Sequence, residues 1–121
     1  MARRSKTHLL AIRIGVGAVT LASLGACGFP KTVDGPPPVV TAEIAEREAK
    51  ARPGTSLESL SAGRDLFAAK CNGCHGYPDL ATVSEAKWPE ILTRMGKKSD
   101  LSEAQTAQVL AFVRATVTKG R

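Results

Sequence analysis

The sequence predicts an all-α fold, with three main helices around a prosthetic group, and three observations support that expectation. Apolar residues recur at helical spacing across residues 57–70, 88–95 and 102–117. No stretch reads convincingly as a strand, and there is no internal repeat. Between the first two periodic stretches lies Cys71-Asn72-Gly73-Cys74-His75, and C-x-x-C-H is the attachment pattern of a c-type haem.

Residues 1–26 read as an export signal, in which Arg3, Arg4, Lys6 and Arg13 precede an uncharged apolar run. That run is too short for a comfortable membrane span. Leu24-Gly25-Ala26-Cys27 resembles a bacterial lipobox, which would make Cys27 the diacylated first residue of the mature chain. Two acyl chains suffice for stable anchoring. Removing residues 1–26 takes four of the 17 basic residues and none of the 11 acidic ones, so the formal charge falls from +6 to +2. The basic character therefore belongs largely to the leader, and nucleic acid is not an expected partner.

Residues 27–56 are rich in Pro, Ala and charge and are expected to form a tether. Pro36-Pro37-Pro38 favours extended polyproline II. Within the tether a marginal helix is expected over residues 41–52. Glu43 and Arg47, Glu46 and Lys50, and Glu48 and Arg52 are spaced i,i+4, but the apolar face is only Ile44 and alanines. Pro53-Gly54 ends it. This segment would hold the domain away from a membrane or serve as a plain disordered arm.

The compact domain is expected over residues 57–121. Leu57, Leu60, Leu66 and Phe67 give its first helix one apolar face, and Gly63 inside that helix suggests that another backbone passes close by. After the motif, Gly76-Tyr77-Pro78-Asp79 is a turn by composition, with irregular chain to about Lys87. Trp88, Ile91, Leu92 and Met95 fall at i, i+3, i+4 and i+7. Pro89 fits only the first turn of that helix, and Gly96 is expected to end it in a left-handed conformation. Ser102 and Gln105 form a capping box, with Leu101 as its staple, for a last helix carrying Val109, Leu110, Phe112, Val113, Thr116 and Val117.

The three cysteines are accounted for without a disulfide: Cys27 for lipid, Cys71 and Cys74 for thioethers to one haem. His75 is the candidate for the proximal iron ligand, being one residue from an attachment point. Of the two histidines and two methionines, His8 and Met1 lie in the leader, which leaves Met95 as the one thioether for the distal side. The competing role for Met95 is core packing. Asn72, Tyr77, Lys97 and Lys98 are less usual ligands, and an open sixth position also remains. Zinc would need a fourth ligand, and a thioredoxin-like dithiol would need a βαβ setting that this sequence lacks.

Together, Gly63 and Phe67 ahead of the motif, Trp88 through Met95 after it, and a final helix with Phe112 resemble a small class I cytochrome c domain over roughly residues 57–118. The resemblance implies a first helix crossing the last at Gly63, with Phe67 and Phe112 at the crossing. It also implies a proline carbonyl, here that of Pro78, orienting the proximal imidazole. Trp88, Ile91, Leu92 and Phe112 would pack the haem. With His75 and Met95 both on the iron there is no place for a substrate, so the expected activity is electron transfer by an exported, membrane-tethered carrier on the periplasmic side, anchored to the inner or outer membrane. The alternatives are a cytochrome subunit of a larger oxidoreductase and a haem enzyme or gas sensor with a vacant site. Redox proteins are the expected partners, with Lys70, Lys87, Arg94, Lys97 and Lys98 placed to steer an acidic one.

Overall fold

The computed structural model describes residues 31–117. The expected export signal and Cys27 lie outside the described residues. Within them the chain is all-α apart from one minimal ladder, and its four helices are the marginal one and the three main ones expected: α1 Ala42–Ala51, α2 Leu57–Lys70, α3 Trp88–Lys98 and α4 Glu103–Val117. Two-residue strands β1 Thr32–Val33 and β2 Tyr77–Pro78 pair antiparallel, with Thr32 opposite Pro78 and Val33 opposite Tyr77.

Helix α2 begins at a capping box that sequence inspection missed. Ser59 N donates to the Ser56 hydroxyl at 3.1 Å, and Ser56 N donates to the Ser59 hydroxyl at 3.0 Å. Serine at the third position does here what Glu or Gln usually does. Helix α4 begins as expected, with Gln105 N on the Ser102 hydroxyl at 3.2 Å and Ser102 N on the Gln105 side-chain oxygen at 2.9 Å. These two helices cross at Gly63. A Cβ there would overlap the Gln108 carbonyl oxygen and lie 3.1 Å from Phe112 Cβ. Phe67 and Phe112 pack beside the crossing with ring centroids 5.5 Å apart and planes tilted by 54°. The glycine thus lets two backbones approach to a distance that any side chain would prevent.

Gly96 has a similar use, which corrects its expected role as a helix end. Helix α3 continues to Lys98, and the left-handed residue after it is Asp100, with φ 55°. Gly96 is buried against α4, where a Cβ would sit 2.7 Å from Thr106 Oγ1.

The expected tether also needs correcting, because most of the described part of residues 27–56 is packed onto the domain. Val40, Ile44 and Ala45 are buried in the same core as Leu60, Phe67, Trp88, Leu92, Val109, Phe112 and Val113. The narrow apolar face of α1 is supplemented by ion pairs. Glu48 is buried at 3% exposure; it pairs with Arg52 and with Arg47 at 3.3 Å, while Arg52 also reaches Glu85 at 2.7 Å. Arg47 donates to the Ala115 carbonyl of α4 at 2.6 Å. Further upstream, Arg64 of α2 donates to the carbonyls of Pro38 at 2.9 Å and Pro37 at 3.2 Å, so the polyproline run is fastened to the domain. Sequence periodicity could not show this, because the stabilising partners lie 26 and 68 residues away.

Glu48→Gln keeps the shape of the side chain and removes its charge from a buried site shared by two arginines. Loss of charge-assisted hydrogen bonds at partly solvated partners is expected to cost about 1–2 kcal/mol. A lower urea midpoint at unchanged slope in the intact protein checks this.

Candidate functional site

The C-x-x-C-H segment follows directly from the end of α2. Cys71 caps that helix, its N–H donating to the Phe67 carbonyl at 2.9 Å. Residues 72–76 form a turn closed by Gly76 N on the Asn72 carbonyl at 3.2 Å. Gly76, with φ 75°, then redirects the chain into β2. That positive φ is strained for any side chain. Two contacts hold the exit of the turn: Tyr77 stacks on Phe67 at 5.6 Å between centroids, and its hydroxyl donates to the Ala68 carbonyl at 2.8 Å.

Beside this turn is an open cleft, whose empty space together with its mouth into solvent is about 790 Å³. Cys71, Cys74 and His75 line it together with Phe67 and Pro78, and Trp88, Leu92 and Met95 of α3 form the facing wall. The structure therefore gathers Cys71, Cys74, His75, Trp88, Leu92 and Met95, six of the residues singled out in the sequence, around one space. It does not bring Ile91 or Phe112 to the lining. Ile91 is half-buried against the core, and Phe112 is fully buried at the crossing of α2 and α4. An i,i+3,i+4 pattern identifies the inward face of α3 but does not say which part of that face meets a cleft and which part meets a neighbouring helix.

Phe67 and Ser99 line the cleft and were not counted as site residues. For Phe67 the signal was available: it precedes Cys71 by four residues on one helix, so both side chains lie on one face. Ser99 follows α3 and carried no such signal.

The polar groups of the cleft can be read individually. His75 Nδ1 lies 3.1 Å from the Gly76 carbonyl oxygen. A carbonyl only accepts, so this bond places the proton on Nδ1 of the neutral ring and leaves the lone pair on Nε2, as a metal ligand requires. The carbonyl that orients the imidazole is therefore Gly76's, where the family resemblance implied that of Pro78; Pro78 instead forms part of the wall. Trp88 is 1% exposed, and its Nε1 is buried without a hydrogen-bond partner. A buried donor left unpaired is costly. Lys70 and Lys98 are the charged residues of the lining, and both favour an anionic occupant.

Cys71 and Cys74 are both free thiols. Burial pushes the Cys71 thiol up from its usual 9.0 to about 11, opposite to the lowered value that makes the first cysteine of a thioredoxin-like pair reactive. In the chain with both thiols free, iodoacetamide is therefore expected to alkylate Cys71 more slowly than exposed Cys74 at pH 8, as mass spectrometry of timed digests would show. No cluster of three or more His, Cys, Asp or Glu suited to a metal ion occurs among the described residues. No helix among them is long and apolar enough to cross a membrane.

Comparison of the chain with protein-family models, with curated proteins and with solved structures gave no match in any of the three.

Proposed function

We propose that this chain is a mono-haem electron carrier, with one haem c attached through Cys71 and Cys74, His75 and Met95 as axial ligands, and a lipid on Cys27 that tethers it to a membrane on the periplasmic side. The observation that carries the reading is that Met95, twenty residues beyond His75 in the chain, lines the same apolar cleft as the C-x-x-C-H segment. Two further features support it. The imidazole presents an Nε2 lone pair, and the cleft is lined by two lysines, Lys70 and Lys98, suited to the carboxylates of the porphyrin.

When bound, the haem would supply a one-electron ferric–ferrous couple. The residues of this chain would then have three tasks. His75 and Met95 would both hold the iron, leaving no place on it for substrate, and the thioether would favour the ferrous state and raise the potential. Phe67, Trp88 and Leu92 would exclude water, which disfavours the net positive charge of the ferric centre and acts in the same direction. Gly76 would hold the imidazole through Nδ1, making it a better ligand.

The test is the absorption spectrum of the mature protein made with haem-attachment machinery, oxidised and reduced, with and without carbon monoxide. A low-spin c-type spectrum that resists carbon monoxide is the expected result. Absence of covalent haem would overturn the whole reading. Rapid carbon monoxide binding by the untreated ferrous protein would replace the carrier with a haem enzyme or sensor having a vacant site.

A further inference from the structure

Residues 31–40 were expected to be part of a spacer, yet the structure fastens them along the domain as a strap. Lys31 O accepts from Asp79 N at 2.5 Å, β1 pairs with β2, and the carbonyls of Pro37 and Pro38 accept from Arg64. Pro37 and Val40 are buried. Among the described residues the first one fastened, Lys31, is only four positions from Cys27.

This deepens the proposed function and rests on its lipid-anchor reading of Cys27. Acyl chains in the bilayer hold the Cys27 backbone at the headgroup level. Four residues reach at most about 14 Å even when fully extended. A free tether over residues 27–56 would have reached roughly 100 Å, so the strap removes most of the expected freedom. We propose that the domain docks on the lipid surface by the end that carries β1 and the turn at Leu80–Thr82, held there by the short link to the lipid. Val33 is 45% exposed at that end, and Lys31, Ala81 and Thr82 are exposed with it.

The docking end is also next to the cleft. Pro78 belongs to β2 and to the cleft lining, so the C-x-x-C-H wall stands directly behind the strap. The opposite end of the molecule is the start of α4. Thr116 shares a groove with Val33, Pro36 and Tyr77, and Glu103 is thirteen residues earlier on the same helix, about 20 Å away at 1.5 Å per residue. Electrons would then enter or leave at the level of the membrane surface.

The experiment uses the lipidated holoprotein on vesicles of equimolar phosphatidylethanolamine and phosphatidylglycerol that contain a phospholipid with a photoactivatable diazirine in its headgroup. Crosslinks mapped by mass spectrometry are expected on residues 31–36 and 79–82 and not on residues 103–107. Inserting twenty Gly/Ser residues between Pro30 and Lys31 should abolish that preference, since the link would then span about 25 Å on average. Equal labelling of both ends in the unmodified protein overturns the docking, and an unchanged preference in the insertion variant overturns its hold by the short link; either result leaves the anchor in place. Failure of the protein to sediment with vesicles overturns the anchor and the docking together. Sedimentation that is lost in Cys27→Ser supports the anchor independently.

Discussion

Gly63→Ala is expected to be the most destabilising single-methyl substitution in the molecule. The new Cβ would overlap the Gln108 carbonyl oxygen and approach the Gln108 carbonyl carbon to 2.8 Å. Both are backbone atoms of a 15-residue helix, so they cannot rotate aside, and relief requires α4 to move as a unit. Such a movement separates Phe67 from Phe112 and loosens Leu60, Val109 and Val113, all buried to within 1%. Overpacking of this kind costs about 3 kcal/mol or more, while the better helix propensity of Ala returns only about 1 kcal/mol. Against a total of roughly 5–15 kcal/mol for a domain, the loss is large. Thermal unfolding of the intact protein should show it, and a stability equal to or above the parent's would mean that α2 and α4 do not cross here. Gly96→Ala provides the contrast. Its nearest obstacle is the Thr106 hydroxyl at 2.7 Å, a side-chain atom that can turn away, so a smaller loss is expected and Thr106→Ala should restore it.

The two glycines also mark how far the sequence could be read. A glycine inside the strongly periodic stretch 57–70 identifies a close approach, because nothing else repays its cost in a helix, and Gly63 was interpreted that way. Gly96 follows the last apolar residue of its helix, where the same residue type usually means a helix end. Only the position of Thr106, ten residues further on, separates the two meanings. Helix boundaries written in local hydrogen bonds, such as Ser102 with Gln105, were legible; Ser56 with Ser59 used the same geometry with a less usual residue and was overlooked. The fastening of residues 31–52 was beyond local inspection. It depends on Arg64, Glu85 and Ala115 meeting them from other parts of the chain, and a proline run with flanking charges has the same composition whether it is bound or free.

The cleft shows a similar division. Cys71, Cys74 and His75 announce themselves by spacing alone, and Trp88, Leu92 and Met95 by periodicity combined with elimination. Phe112 has the same apolar character, but the crossing at Gly63 claims it for the core. Sequence can rank residues as inward-facing; deciding whether such a residue meets a neighbouring helix or a cleft requires knowing which helices are in contact.

Met95→Leu is the substitution that separates the two roles open to this side chain. Leu nearly conserves volume, so if Met95 merely fills the wall of the cleft, the change should cost less than about 1.5 kcal/mol and leave the visible spectrum as it was. If its sulfur is the distal ligand, removing it opens the sixth position. The ferrous protein should then change from resisting carbon monoxide to binding it rapidly. The potential should fall by something on the order of 0.1 V or more, within the roughly 0.8 V range that axial ligands set. The side chain is only half-buried and stands in the last turn of α3, so folding should survive the change and the two effects can be read apart. Leu92→Ala supplies the opposite control. Leu92 lines the same cleft at 3% exposure, and its truncation should cost about 2–5 kcal/mol without making the iron accessible to carbon monoxide. A spectrum indifferent to Met95→Leu, or carbon monoxide binding that appears equally with Leu92→Ala, would show that the methionine is packing and that the electron-carrier reading has lost its sixth ligand.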